Sequence, residues 1–278
     1  MVDRIVKRAY PAFVLLTFLL ASCAPTYREA QLVETIQQLC QKEYHFDVSA
    51  RRVGRTLAIQ LRHPGVLQQD EHQIGLSAEA NKVLGDLVEA IHRVVLSSDA
   101  PIQFYIVLVS DPAVPGAYLT LVRYVEDVRK ANANMIPPTE FFSRTLLDLK
   151  FVGLPTMTLD QLVLNDIQLE QFLSWQLAKR IQSKIAETLQ AHGMTNVDVG
   201  QFGGEFHNGE FAFTLNVTPK PGAQLDSQLL LQIFEEATGM VAQLLQQYHF
   251  QNFQAVRLIH PSTGRSLILP KTRLELFR

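Results

Sequence analysis

The sequence predicts an α+β protein made of two related units, each an antiparallel sheet with two helices packed on one face. Helical and extended apolar patterns alternate along the chain, and both halves follow the order helix, hairpin, helix, hairpin. Proline and glycine breaks punctuate both halves, at 64–65 and 112–116, then at 219–222 and 261–264. The resulting division is a first unit at 29–152, a linker at 153–165 and a second unit at 166–278.

The first unit is expected to open with an amphipathic helix at 29–42, followed by an extended hairpin at 46–61. Ser77 precedes a second apolar stripe at helical spacing, so its hydroxyl can cap a helix there. Residues 102–109 are nearly all apolar or β-branched, which predicts a buried strand.

Residues 117–130 fit two interpretations. Alternation over 118–124 is typical of a strand, whereas the apolar spacing across the whole stretch also suits a helix. Pro137-Pro138 then predicts the start of a short helix, and 146–152 has the composition of a strand.

The second unit repeats this order. A long one-sided helix is expected at 166–190, followed by a hairpin whose turn is Asn208-Gly209. Asp226 can cap the next helix, which extends to about Tyr248. Two further strands, at 253–259 and 266–269, complete the unit.

Composition limits the possible function classes. The chain has 278 residues, 47% hydrophobic and 19% charged, with a formal net charge of −2. Residues 1–22 carry three basic side chains and one acidic side chain, so the rest of the chain is near −4. A mildly acidic chain without a long basic run does not favour nucleic-acid binding. At this length it can bury a large core without disulfides.

The N-terminal segment has the pattern of a secretory signal. Arg4, Lys7 and Arg8 precede an apolar run at 12–21. Ten residues of helix span about 15 Å, which is too short to cross a bilayer. Residues 1–22 are therefore expected to be a signal peptide.

The tetrapeptide Leu20-Ala21-Ser22-Cys23 resembles the lipobox of bacterial lipoproteins. The resemblance implies cleavage before Cys23, a diacylglycerol thioether on its sulfur and an acylated amine. Two or three acyl chains give an anchor that does not readily leave the membrane. Because Ala24 rather than Asp follows the cysteine, the resemblance implies an outer-membrane lipoprotein facing the periplasm, with 23–28 as a short tether.

The second cysteine, Cys40, would then lack an intramolecular partner. It lies on the apolar face of the first predicted helix, so we expect a small core residue rather than a reactive thiol.

Residues 56–128 resemble the OmpA-like peptidoglycan-binding domain in the order of their elements. In that family an Asp after the second strand and an Arg in the next helix hold the carboxylate and amine of diaminopimelate. The resemblance assigns these roles to Asp111 and Arg123, on the helical interpretation of 117–130. The Gly-His-Thr-Asp stretch of the family is replaced here by Leu108-Val109-Ser110-Asp111.

No pattern in the sequence predicts catalysis or a metal centre. Glu205 and His207 would share one face of a strand, but no third zinc ligand is evident. The glycine-rich stretch 200–204 follows a strand without opening a helix, so it fails the dinucleotide-binding context. No cofactor is expected apart from the covalent lipid on Cys23. Trp175, on the long helix, is expected to be a packing residue.

These observations favour a non-catalytic envelope lipoprotein that binds a protein partner or peptidoglycan. Exposed sheet edges of such units can add a strand from a partner. Two alternatives remain open: an anchored envelope hydrolase with an unrecognised site, and a purely structural envelope component. A cleft holding both Asp111 and Arg123 would support wall binding.

Overall fold

Helices and strands alternate along the chain, and short elements that the sequence did not predict, such as the strands at Leu67–Gln69 and Ile74–Leu76, lie between them. The computed structural model describes residues 26–69, 74–151, 158–222, 225–274 and 276. The chain divides into two units, Met1–Asp166 and Ile167–Arg278, and each combines helices with sheets. The α+β class is therefore confirmed. Cys23 and the rest of the predicted signal segment lie outside the described residues.

The first unit contains five helices and seven strands among its described residues. The helices are α1 (Leu32–Leu39), α2 (Ala80–Leu96), α3 (Val125–Asn132), α4 (Pro138–Ser143) and α5 (Leu159–Leu162). The strands are β1 (Val48–Val53), β2 (Thr56–Arg62), β3 (Leu67–Gln69), β4 (Ile74–Leu76), β5 (Phe104–Ser110), β6 (Ala117–Tyr124) and β7 (Leu146–Phe151). A π-helical turn, Cys40–Tyr44, continues α1.

Five of these strands form one sheet in the order β1-β2-β5-β6-β7. Its neighbours are antiparallel except for β2 and β5, which run parallel from the Thr56–Phe104 pair to the Arg62–Ser110 pair. The prediction of an antiparallel sheet was therefore wrong. The connection through α2 returns the chain to the end of the sheet at which β2 began, so the next strand must run in the same direction.

One face of this sheet packs against α1 and α2, and the two helices share a core with it. Alternate strand residues point into this core, because side chains alternate between the two faces of a strand. The strand side of the core consists mainly of Val48, Leu57, Ile59, Leu61, Tyr105, Val107, Val109, Ala117, Leu119 and Leu121. Each large apolar side chain buried here contributes about 1.5–3 kcal/mol.

Residues 117–130 form both of the elements that the sequence left open. The alternating part is β6, and the helical part begins at Val125 as α3. The Val125 amide donates a hydrogen bond to the Gln103 carbonyl at 2.8 Å, where the chain leaves the sheet. Val125 and Val128 are buried, which explains why their spacing resembled a helix.

Part of the predicted tether packs against the loop that follows α2. The amides of Thr26 and Tyr27 both donate to the Ser97 carbonyl, at 2.8 and 3.2 Å. The Glu29 amide donates to Asp99 Oδ1 at 2.5 Å. The fold therefore begins by Thr26, earlier than the tether prediction of 23–28 implied.

The second unit contains three helices and six strands among its described residues. The helices are α6 (Leu169–Ala191), α7 (Ser227–Gln247) and α8 (Lys271–Leu274). The strands are β8 (Val197–Val199), β9 (Gly203–His207), β10 (Glu210–Thr214), β11 (Val217–Pro219), β12 (Ala255–His260) and β13 (Arg265–Pro270). No helix in the described part of the chain is both long enough and apolar enough to cross a membrane.

Four of these strands form a sheet in the order β13-β12-β10-β9. Again the inner pair, β10 and β12, is parallel, and the outer pairs are antiparallel. The antiparallel prediction was wrong here for the same reason, since α7 lies between the two inner strands. The predicted hairpin turn is confirmed, with positive φ at Asn208 and Gly209.

The inner strands of the two sheets have the same register. Each hairpin turn has two residues, and the first residue after it, Thr56 or Glu210, pairs with the first residue of the parallel strand. At the next position of the parallel strand, Tyr105 lies opposite Arg123 in the first unit. In the second unit Val256 lies opposite Leu269. Tyr105 and Arg123 thus have the topological positions of Val256 and Leu269.

The strand β9 approaches α6 so closely that one position accepts only glycine. A Cβ built at Gly204 would overlap the backbone carbonyl of Ser174 and would lie 3.0 Å from the Cβ of Ala178. Within the glycine-rich stretch, Gly204 thus serves helix–sheet packing, because a missing side chain lets two backbones meet.

We expect Gly204→Ala to lower the free energy of unfolding by about 1–3 kcal/mol, because the added methyl overpacks the helix–sheet contact. Gly203→Ala is the matched control, since its Cβ would lie 3.7 Å from Thr214 Cβ, an ordinary contact. Chemical denaturation of both variants measures the difference. Equal stability of the two variants would contradict the assigned close approach.

Candidate functional site

The most unusual chemical environment in the first unit surrounds Arg123, near the end of β6. Antiparallel pairing sets Arg123 directly opposite Tyr105 of β5, so both side chains lie on the same face. That face is the one covered by α1 and α2, because Tyr105 belongs to their core. A cationic side chain therefore occupies a core position of the sheet.

Three contacts hold this guanidinium in place, and a fourth residue, His92, contacts its Tyr105 partner. Arg123 Nη1 donates to the Tyr105 hydroxyl at 3.3 Å, and Nε donates to Thr145 Oγ1 at 2.9 Å. The Phe141 ring lies against the guanidinium, with its centroid 4.6 Å from Cζ. His92 Nε2 lies 2.8 Å from the Tyr105 hydroxyl. We call these five residues the Arg123 site.

Burial shifts the pKa values of the two titratable neighbours of Arg123, in each case in favour of the neutral form. Desolvation, assisted by the Arg123 charge, lowers the pKa of His92 to about 4. Desolvation raises the pKa of Tyr105 to about 12, against the opposing effect of Arg123. A general acid or base works best with a pKa near the operating pH. The pair is therefore poorly suited to proton transfer near neutral pH and well suited to fixing the guanidinium.

Arg123 forms no ion pair within the described part of the chain. Its side chain belongs to a residue that is only 7% exposed, yet none of the ion pairs among the described residues includes it. Buried charges are normally paired, because desolvation of an unpaired ion costs several kcal/mol. The Tyr105 and Thr145 oxygens and the Phe141 ring offset part of this cost but carry no negative charge.

The neighbouring buried arginine shows the ordinary arrangement. Arg144 Nη1 donates to Asp127 Oδ1 at 2.7 Å, and Nη2 pairs with Glu140. Two carboxylates thus pair with Arg144, which lies one residue before Thr145. Neither of these carboxylates forms an ion pair with Arg123.

Asp111 and Arg123, the two predicted binding residues, are not brought together. Asp111 follows the end of β5, whereas Arg123 lies opposite the start of that strand, roughly 20 Å away along it. Asp111 is buried, and its oxygens accept from the amides of Leu67 at 3.0 Å and Ala113 at 2.8 Å. It fixes the turn after β5. The family resemblance expected Arg123 on a helix, and it lies on a strand.

The other candidates from the sequence have simpler environments. Cys40 is fully buried in the core of the first unit, and desolvation raises the pKa of its thiol to about 11. Glu205 and His207 share one exposed face of β9. No group of three potential metal ligands occurs within the described residues. Trp175 is 37% exposed on α6.

The sequence contained one signal for this site that depended on the strand interpretation. If 117–124 is a strand, Arg123 shares a face with Ala117, Leu119 and Leu121, so a charge falls on the core side. No sequence pattern indicated His92 or Thr145. His92 contacts Tyr105 and Thr145 contacts Arg123, and each lies on a separate element of the fold.

Comparisons with protein-family models, curated proteins and solved structures found no match to this chain.

The lowered pKa of His92 predicts a pH dependence of stability. The ordinary imidazole pKa is 6.5, and the folded value is about 4, so between these values the unfolded chain binds a proton that the folded chain does not. The contribution of His92 to the free energy of unfolding is therefore present above pH 6.5. Through this contribution the free energy of unfolding falls by about 3 kcal/mol as the pH decreases to 4.

Urea denaturation between pH 7 and pH 4 measures this effect. His92→Gln keeps a polar group near Tyr105 but removes the titration, so its stability should decrease less over the same interval. An identical decrease in the wild-type protein and His92→Gln would show that other groups cause it.

Proposed function

We propose that the chain is a membrane-anchored envelope lipoprotein that acts as a non-catalytic binding or assembly module. In this proposal Cys23 carries the lipid, and the folded units meet a protein partner or the cell wall. The Arg123 site receives an acidic group of that partner. The single observation on which the binding function rests is that the buried guanidinium of Arg123 forms no ion pair with a carboxylate of the described residues.

The sequence supports the anchor. A basic start, a short apolar run and Leu20-Ala21-Ser22-Cys23 occur in the order that lipoprotein precursors require. The contacts of Thr26 and Tyr27 with Ser97 leave only a short stretch of chain between the proposed lipid and the first unit.

The chemistry of the site supports binding over catalysis. His92 and Tyr105 have pKa values displaced in opposite directions from neutrality. Arg123 is held by two hydrogen bonds and an aromatic ring, so its orientation is fixed before a ligand arrives. A preorganised cation of this kind gains binding energy because little side-chain entropy remains to be lost.

We further propose that the two units are repeats of one motif, helix, hairpin, helix and two strands. Four strands of the first sheet, β1-β2-β5-β6, have the same order as the four strands of the second sheet, β9-β10-β12-β13. The inner strands of the two sheets also pair in the same register, and both observations support this relation. At the positions of Tyr105 and Arg123 the second unit has Val256 and Leu269, which are 0% and 3% exposed. The motif therefore accepts an apolar pair there. This favours a specialised role for the polar pair, since the fold does not require it.

The first test concerns the anchor. We expect Cys23→Ala to remain without lipid and to leave the membrane fraction, because the thioether and the processing signal are both lost. Metabolic labelling with a radioactive fatty acid and membrane fractionation measure the two effects, with Cys40→Ala as the control that keeps its label. Fatty-acid labelling of the Cys23→Ala protein would contradict the lipobox assignment.

The second test concerns binding. The intact lipoprotein, purified from membranes under mild detergent, should bring down either a specific envelope protein or muropeptides, both identified by mass spectrometry. We expect Arg123→Leu to reduce this recovery at least about tenfold, because a charge-assisted hydrogen bond to a buried group contributes about 1.5–3 kcal/mol. Leucine is chosen because Leu269 occupies the matching position of the second unit.

Arg129→Leu is the matched control. The Arg129 side chain is 52% exposed on the neighbouring helix α3, and among the described residues its ion pair is with Glu126 at 3.4 Å. Its loss should leave recovery unchanged, because exposed pairs contribute little. Recovery of neither a protein nor muropeptides would overturn the binding proposal and favour a structural component.

A further inference from the structure

We propose that the ligand of the Arg123 site is the carboxylate of an acidic side chain, Asp or Glu, presented by a protein partner. This inference rests on the proposed binding function and names the chemistry that the site recognises. Three observations support it: some N–H donors of Arg123 make no hydrogen bond to the described residues, the site has a single positive charge, and the five-residue site has no carboxylate that could bind an ammonium group.

The unused donors of Arg123 match a planar acceptor. A guanidinium has five N–H donors, and the structure engages Nε with Thr145 and one donor of Nη1 with Tyr105. Both donors of Nη2 and the second donor of Nη1 remain for a ligand. Two parallel N–H groups at the end of a guanidinium fit the two oxygens of a carboxylate.

The charge of the site matches a single negative charge. His92 is neutral above about pH 4, so Arg123 contributes the only net positive charge within the five-residue site. The nearby Arg144 is paired with Asp127 and Glu140. A phosphate, which carries between one and two charges near neutrality, would exceed the single positive charge of the site, whereas a carboxylate matches it. The charge of the site therefore favours a monoanionic carboxylate.

The site also lacks what a zwitterionic ligand needs. A free amino-acid group, such as the amine-bearing end of diaminopimelate in wall peptides, carries an ammonium beside its carboxylate. Asp127 and Glu140 are engaged by Arg144, and Asp111 lies at the other end of β5. The five residues of the Arg123 site therefore offer this ammonium no carboxylate. An Asp or Glu side chain within a folded or blocked peptide carries no ammonium and therefore needs no such carboxylate.

The test uses the intact lipoprotein in detergent micelles with ¹⁵N-labelled arginine at pH 7 and constant ionic strength. The Nε–H resonance of Arg123, assigned by its loss in Arg123→Leu, is followed during four titrations. The probes are N-acetylglutamate α-amide, its neutral glutamine analogue, inorganic phosphate and meso-diaminopimelate. Circular dichroism confirms that Arg123→Leu is folded, and the wild-type titrations do not depend on that variant's stability.

We expect a saturable shift of the Arg123 resonance with the glutamate probe and none with the glutamine analogue. Phosphate and diaminopimelate should bind at least about tenfold more weakly, a difference of about 1.4 kcal/mol. Arg129→Leu should give the same glutamate titration as the wild-type protein. No saturable shift, an equal shift with glutamine, or tighter binding of phosphate or diaminopimelate would each overturn the inference.

The two proposals fail in different ways. If a captured partner is recovered equally by the wild-type protein and Arg123→Leu, and glutamate gives no shift, this inference is wrong while the binding function stands. If glutamate gives a saturable shift but the lipoprotein captures neither protein nor muropeptides, the carboxylate site is supported and the proposed function fails.

Discussion

The parallel pairing of β2 with β5 is the constraint on which the first unit depends. It requires a crossover, and α2 supplies it while covering one face of the sheet. Because α2 then leads directly to β5, His92, near the end of that helix, comes to lie beside Tyr105 at the start of the strand. The antiparallel return of β6 brings Arg123 opposite the same tyrosine. One connection thus assembles three elements of the site.

The same arrangement makes Arg123 costly for the fold. A guanidinium at a core position loses hydration, and the Tyr105 and Thr145 oxygens restore only part of that loss. Arg144, by contrast, is a buried arginine that the chain pairs with two carboxylates. An incoming carboxylate would therefore supply the interaction that folding leaves out, and binding energy is largest where the protein has already been desolvated and oriented.

Much of the fold was accessible from the sequence because it follows from local periodicity. The helices at Leu32 and Ala80, the apolar strand β5 and the Asn208-Gly209 turn each carry their own signal. The direction of β5 relative to β2 does not, since apolar runs fit parallel and antiparallel neighbours alike. The site was predicted only in part: Arg123 was singled out, but the other residues of the site come from α2, β5, α4 and the segment after α4. Such contacts depend on tertiary packing, which the spacing of residues along the sequence does not predict.

The first described residues, Thr26 and Tyr27, lie at the same end of the first unit as the Arg123 site. Thr26 and Tyr27 bind the Ser97 carbonyl, immediately after α2, and His92 lies about one turn before the end of that helix. From Cys23 to Thr26 the chain can span at most about 11 Å. A lipid on Cys23 would therefore hold this end of the unit close to the bilayer surface. The acidic side chain that Arg123 receives must then reach the same zone, which favours a partner that is itself attached to or embedded in that membrane.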